Sequence, residues 1–362
     1  MKLQILNISK IVLVTFIFSS LIMILMKKIA IHIGAIDMPR SDEGNRHIHK
    51  KPTPLLGGVG IFLSFLFGYM LFGEQSIKMN SILIGSFIII LTGIIDDIKS
   101  IRASQKLIGQ LCAAAVIVFY GGILLNNITA FGFSIDFGIW SYPITLIFIV
   151  ACTNIINLID GLDGLSGGIS SIFYLTIGII SIYQGRYDSL VIILTFIMLG
   201  STLGFLVHNF YPASIFAGDC SMFMGFIISV ITLLEFKGPA LISFFIPITI
   251  LGIPILDTLF AIIRRLLKKE PPFKADKQHL HHQLLGMNFS QRTTVLIIYG
   301  INLLFASASI FYTIKDPAIG RIIYIIILIL VLWFVFHTSI ISDKSPQITK
   351  KIKSKLKVNK RK

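Results

Sequence analysis

Long apolar runs alternate with short polar stretches along the whole chain, and many of the runs have the length of a membrane crossing. A helix needs about 20 predominantly apolar residues to cross the hydrocarbon core of a bilayer. On that measure eleven spans can be drawn, at roughly 8–30, 55–73, 80–95, 107–125, 138–153, 166–183, 189–207, 221–236, 239–262, 293–312 and 318–340. The pattern predicts an all-α, polytopic integral membrane bundle of about 11 transmembrane helices. The run from Ile11 to Met26 lacks a small-residue cleavage site and reads as the first, uncleaved span. No soluble domain is large enough to fold alone, so the expected organisation is a membrane domain over 1–340 and a basic tail over 341–362.

Composition agrees, with 55% hydrophobic and 14% charged residues and a mean hydropathy of +0.86. That excludes a soluble protein with a large core. Cys112, Cys152 and Cys220 show neither metal nor disulfide spacing. The net charge of +15 invites a nucleic-acid reading, but its placement argues otherwise. Twenty-five of the 32 lysines and arginines fall in the loops 27–54, 96–106 and 263–292 and in the tail. The other seven are Lys2, Lys10, Lys78, Arg186, Lys237, Lys315 and Arg321. Basic loops stay in the cytoplasm, so the N-terminus is expected outside, the C-terminus inside, and no nucleic acid is expected as a partner.

The unusual polar residues fall on that same side. Asn154-Ile-Ile-Asn157-Leu-Ile-Asp160-Gly-Leu-Asp163-Gly-Leu165 packs two amides and two carboxylates between two apolar runs. Carboxylates at membrane level are costly and persist where they bind something or line an aqueous cavity. Asn157, Asp160 and Asp163 share a face if the segment is helical, whereas Gly161 and Gly164 favour a turn. The DGLDG sequence lacks the spacing and terminal glutamate of an EF-hand loop.

Four further loops join it. The stretch Arg46-His-Ile-His49-Lys50-Lys51-Pro52-Thr-Pro54-Leu-Leu-Gly57-Gly58 offers basic groups for a phosphate and glycines for close backbone approach, although taken alone it reads first as an ordinary basic cytoplasmic loop. Asp96-Asp97, with Lys99 and Lys106 following, is either a solvated helix end or one side of a Mg²⁺ site, because adjacent carboxylates repel unless a cation or proton separates them. In His208-Asn209-Phe-Tyr211-Pro212-Ala-Ser-Ile-Phe216-Ala-Gly218-Asp219-Cys-Ser221, Asp219 is a helix N-cap or a metal ligand, and Phe216 offers a ring for a base. The longest inner loop carries Arg264-Arg265, Lys268-Lys269 and His279-Leu-His281-His282; it lacks a zinc spacing and suits phosphate or sugar recognition. The outer loops are short and chemically plain. A cation-coupled transporter, the reading from a different class, would place its ionisable groups near mid-membrane, and only Asp257 after Pro254 comes near that.

Taken together, the Pro54-x-x-Gly57-Gly58 turn, Asp96-Asp97, NxxNxxDGLDGL, FYPxxxFxGD and the HLHH element resemble, in order and over nearly the whole chain, the polyprenyl-phosphate N-acetylhexosamine-1-phosphate transferases (glycosyltransferase 4). The resemblance implies a multi-pass enzyme of the bacterial plasma membrane with a cytoplasmic active site. Such an enzyme moves a sugar phosphate from a UDP-N-acetylhexosamine to a polyprenyl phosphate, such as undecaprenyl phosphate, and releases UMP. It implies Mg²⁺, with Mn²⁺ as the alternative ion, and allows a homodimer. The HLHH form, in its DKQHLHH context, is similar to the branch that uses UDP-N-acetylglucosamine to start wall teichoic acid, O-antigen or other surface glycans. The alternative branch transfers phospho-N-acetylmuramoyl-pentapeptide for peptidoglycan and usually has an uninterrupted histidine triplet.

Position by position, the resemblance assigns Asp219 and Asn157 to Mg²⁺-pyrophosphate binding. It places Asp96 and Asp97 at the reacting phosphates, as metal ligands or as the base that takes the lipid phosphate's proton. Asp160 joins the catalytic carboxylates and, with Gly161, Leu162 and Asp163, the nucleoside pocket that Phe216 walls and Asn209 borders. Lys51, Lys106, His279, His281 and His282 are implied phosphate and sugar contacts. Two positions depart from the pattern: Ser221 stands where glycine is common, and Ser100 is not counted as a ligand.

Overall fold

The computed structural model describes residues 2–37, 52–130, 133–186, 189–235, 251–267, 280–314 and 317–336. The chain divides into two units, Met1–Pro247 and Ile248–Lys362.

In the first unit, α1 (Lys2–Ile33) runs 32 residues. A short antiparallel pair, β1 (Ile36–Asp37) with β2 (Thr53–Pro54), follows it in register Ile36↔Pro54. Then come α2 (Gly57–Phe72), α3 (Ile77–Lys99) and α4 (Ala103–Ala115), the last continuing as a π turn through Tyr120. A hairpin, β3 (Asn127–Ala130) with β4 (Phe133–Asp136), precedes α5 (Ser141–Ile159), α6 (Leu165–Tyr183), α7 (Leu190–Asn209) and α8 (Met222–Glu235).

The interior belongs to α8: 83% of the span Gly218–Glu235 is buried, against 28% of α1, whose Leu13 and Leu21 face outward. An apolar outer face of this kind suits lipid, which supplies no hydrophobic drive between helices, so small residues and buried hydroxyls bring them together. A Cβ added at Gly200 of α7 would lie 2.5 Å from Val12 O, and one at Gly204 2.5 Å from Phe16 O, so α1 and α7 cross backbone to backbone. Ser19 Oγ donates to Ser201 O at 2.7 Å, Ser201 Oγ to Ser64 Oγ at 2.9 Å, and Ser64 Oγ to Thr15 O at 3.0 Å, which ties α1, α2 and α7 together.

The second unit holds α9 (Gly252–Leu267), the short α10 (Leu280–Gly286), α11 (Gln291–Ile314) and α12 (Pro317–Phe336). Among the described residues, eight helices are long and apolar enough to cross a membrane, and α2 and Ala318–Trp333 are shorter apolar helices. The protein is thus an all-α polytopic membrane fold. Every expected span carries helix; the ninth is described only from Leu251 onward.

Several features differ from expectation; among them α3 runs on to Lys99, which carries Asp96 and Asp97 on its last turns instead of in a loop. The fifth span extends to Ile159, which carries Asn154 and Asn157 onto α5 instead of into a loop. The fourth begins at Ala103 and stops at Gly121-Gly122. The antiparallel pair of 127–130 with 133–136 stands where a plain outer loop was expected.

Candidate active site

In successive antiparallel crossings, the C-terminal ends of α3, α5 and α7 and the N-terminal ends of α4, α6 and α8 meet at one end of the bundle. Asp96 and Asp97 close α3, Lys106 lies in the first turn of α4, and Asn157 lies in the last turn of α5. The turn Asp160–Gly164 leads into α6, Asn209 ends α7, and Asp219 sits in the 3₁₀ turn Gly218–Ser221 that feeds α8. The sequence order of these loops is therefore also a spatial cluster.

At its centre is the Lys106 ammonium. It is paired with Asp96 Oδ2 at 3.0 Å and with Asp219 Oδ1, and it donates to Asn157 Oδ1 at 3.4 Å. Asp96 also accepts the Ile101 N–H through Oδ1 at 2.8 Å, which closes the α3–α4 turn and fixes where Lys106 starts. Asp97 accepts the backbone N–H of Asp219 at 2.8 Å, while its Oδ2 is buried with no hydrogen-bond partner. The Asp96, Lys106 and Asp219 side chains keep 11%, 17% and 31% exposure, so a ligand can reach them. Gly218 makes the close approach to Asp97 possible: φ is +66°, and a Cβ there would stand 2.6 Å from the Asp97 carboxylate.

Asp160 lies beside this cluster and accepts a hydrogen bond from Ser166 Oγ. Burial raises its carboxyl to about 7 against the Ser166 bond, and the negative charges of Asp219 and Asp163 push the same way as burial. Asp163 and Asn209 act as struts between two loops. Asp163 Oδ2 accepts the Ala213 N–H at 2.9 Å; Asn209 Oδ1 accepts the Gly164 N–H at 3.0 Å and its Nδ2 donates to Ile215 O at 2.9 Å. Leu162 is buried, Gly161 is exposed, and Phe216 is half-buried in the segment that these struts hold.

The glycines of the Pro54–Gly58 turn serve the protein's own backbone. Gly57 N–H donates to Phe216 O at 2.8 Å and Gly58 N–H to Ala217 O at 3.1 Å. A Cβ on Gly58 would lie 2.5 Å from the Cys220 carbonyl carbon. The expectation that this pair approaches a phosphate is thereby corrected: the space and the amides are already taken by the segment that carries Asp219.

The model for glycosyl transferase family 4 matches residues 79–235, the stretch that holds all of these carboxylates and Lys106. Over 92% of this chain and 93% of its own length, a Bacillus subtilis protein named probable undecaprenyl-phosphate N-acetylglucosaminyl 1-phosphate transferase is 39% identical. The chain belongs to glycosyl transferase family 4. The Mycobacterium tuberculosis decaprenyl-phosphate N-acetylglucosaminephosphotransferase is 32% identical, with 81% of this chain and 80% of that protein covered. The Salmonella typhi undecaprenyl-phosphate alpha-N-acetylglucosaminyl 1-phosphate transferase is 29% identical, with 78% of each covered.

In this family 4 protein, Lys51 and His279 lie outside the described residues, and His281 and His282 are described only as backbone of α10. Asp257, the residue on which a transporter reading depends, is buried and accepts the Leu280 N–H at 2.7 Å, so it caps the helix that carries the histidines. Three polar partners escape the sequence reading. Ser166 holds Asp160, Ser221 holds Asn157, and Gln110 exchanges hydrogen bonds with Asn154 at 2.7 and 3.1 Å. Gln110, an amide inside an apolar run, carried a detectable signal, and Ser221 was marked only as a departure from the family pattern; serines are common in such helices.

The donor set also bears on a metal. Two carboxylates and an amide oxygen converge on one positive charge, beside the buried Asp97 oxygen that lacks a partner. Among the described residues, no three acids, histidines or cysteines could hold an ion by themselves. Hard oxygens in that number fit Mg²⁺, which typically takes one or two carboxylates and completes its shell with phosphate oxygens and water.

Proposed function

We propose that the protein transfers N-acetylglucosamine 1-phosphate from UDP-N-acetylglucosamine to a polyprenyl phosphate, with Mg²⁺ (or Mn²⁺) and with release of UMP. The observation that carries this reading is the Asp96–Lys106–Asp219–Asn157 cluster at one end of an otherwise apolar bundle, in a chain whose relatives are named for that transfer.

A phosphate oxygen of the lipid attacks the phosphorus that bears the sugar. The bond from that phosphorus to the bridging oxygen breaks, and the oxygen leaves with UMP. The attacking phosphate is largely ionised near neutrality, so the protein needs no nucleophile of its own. Its task is to hold two anions in line and to offset the charge that moves onto the leaving oxygen. Lys106 is the cation placed for that, kept in position by Asp96 and Asp219. Asp97 holds the Asp219 backbone, and Asn157 presents its oxygen to the same point. When bound by Asp219, Asp96 and Asn157, Mg²⁺ would supply Lewis-acid stabilisation of the diphosphate oxygens. Asp160 and the 161–164 turn, braced by Asp163 and Asn209, border the nucleoside side, with Phe216 as the ring available to a base. The positive-inside distribution supports a cytoplasmic site, where a soluble nucleotide sugar meets a membrane-held acceptor.

A donor competition tests the assignment. Purified protein with polyprenyl phosphate and Mg²⁺ is offered UDP-N-acetylglucosamine or UDP-muramoyl-pentapeptide while UMP and labelled lipid are followed. UMP and product from the first donor alone are expected. Product from the second alone would move the enzyme to peptidoglycan synthesis.

A further inference from the structure

We infer that Ser221 is a positioning residue that locks the Asn157 side-chain amide with its oxygen toward the cation end of the site. This rests on the transferase reading, because it concerns the phosphate-binding end of the same cluster.

Ser221 is fully buried at the entry to α8. Its Oγ accepts from Asn157 Nδ2 at 2.9 Å, and the same nitrogen donates to Asp219 Oδ1 at 3.2 Å. An amide nitrogen carries two hydrogens, so both are used, and the amide oxygen is left facing Lys106 Nζ at 3.4 Å. An amide turned over by 180° has nearly the same shape but exchanges donor and acceptor. It would aim N–H groups at the positive charge and its oxygen at the Asp219 carboxylate. Asp219 opposes that flip only while its Oδ1 is available to the amide. Once a cation engages Asp219, the Ser221 hydroxyl still accepts from the nitrogen, and it cannot serve a flipped amide oxygen because its own hydrogen is turned to Asp160. Having accepted, the hydroxyl keeps its own hydrogen to donate, and Ser221 is among the groups that oppose the effect of burial on Asp160. The serine thereby joins the Asn157 and Asp160 sides of the site.

The test uses the full-length protein in detergent, with S221A, S221T and D219A. Two responses are titrated with Mg²⁺: thermal stabilisation without substrate, and UMP release. In S221A the Mg²⁺ midpoint should rise roughly three- to tenfold in both, the loss expected for one hydrogen bond to a polar partner. The KM for the nucleotide sugar should stay near the parent value. S221T, which keeps the hydroxyl, should keep the parent midpoint. S221G replaces the alanine if that variant does not fold. A parent midpoint in S221A overturns the inference, as does lower stability without any change in midpoint, which would mean a packing role alone. If the parent responds to Mg²⁺ and D219A does not, the metal assignment stands whatever Ser221 does. A parent with no response overturns the metal assignment, and the inference with it.

Discussion

The carboxyl of Asp160, raised to about 7 by burial, is divided between its two forms at neutral pH, whereas an exposed aspartate ionises near 4. The folded state therefore binds this proton more tightly than the unfolded chain. Stability contributed by the protonated group is fully present below about pH 4 and is lost as pH rises toward about 7, above which both states are ionised and the loss levels off. Thermal unfolding in detergent with a chelator should show the parent's apparent Tm falling over that window, and D160N, which cannot ionise, should show a flatter profile. Parallel profiles would contradict the buried setting of Asp160. At this scale the sequence was informative about charge and poor about hydroxyls. Asp96, Asp97, Asp160, Asp163 and Asp219 stand out because carboxylates are rare in apolar runs. Ser166 does not, because a serine in a membrane helix commonly bonds its own backbone, as Ser171 does to Gly167 O, and Ser221 stands out only as a departure from the family pattern, with no partner indicated. Only the approach of α5, α6 and α8 reveals that these two turn toward the site.

Helix ends, more than helix faces, build the cluster. Alternation of direction brings six ends together, and the apolar runs were enough to anticipate this. What the runs concealed was where polar residues stay helical. Asn154 and Asn157 read as a loop, yet their side chains find partners in Gln110, Asp219 and Ser221, so α5 continues two turns further at no cost in unpaired amides. Gly57 and Gly58 read as a phosphate cradle because a glycine pair has the same local signature whether a ligand or a backbone approaches. Asp257 is a further case. Its bond to the Leu280 N–H makes it the cap of α10, so D257N, which retains an acceptor oxygen, should keep near-parent UMP release. D257A should lose about 1 kcal/mol of local order, and activity several-fold with it. Equal loss in both variants would revive an ionic role for this carboxylate.

The first unit is a bundle with hydrocarbon-compatible sides, where α1 and α4 turn apolar faces outward and the site carboxylates are confined to helix ends. Such an arrangement suits a reaction between a lipid-anchored phosphate and a water-soluble nucleotide, which can meet only at the membrane boundary. The proposed transfer also specifies which bond is broken. A phosphosugar transferase carries the sugar-side phosphate to the lipid, whereas a simple glycosyl transferase would leave both phosphates on the nucleotide. The direct measurement is the fate of label in UDP-N-acetylglucosamine carrying ³²P in the phosphate next to the sugar. The label should appear in the polyprenyl diphosphate sugar with stoichiometric unlabelled UMP, and D219A should abolish both. Label retained in UDP while the sugar moves to lipid would contradict the phosphoryl-transfer chemistry assigned to Lys106, Asp96 and Asp219.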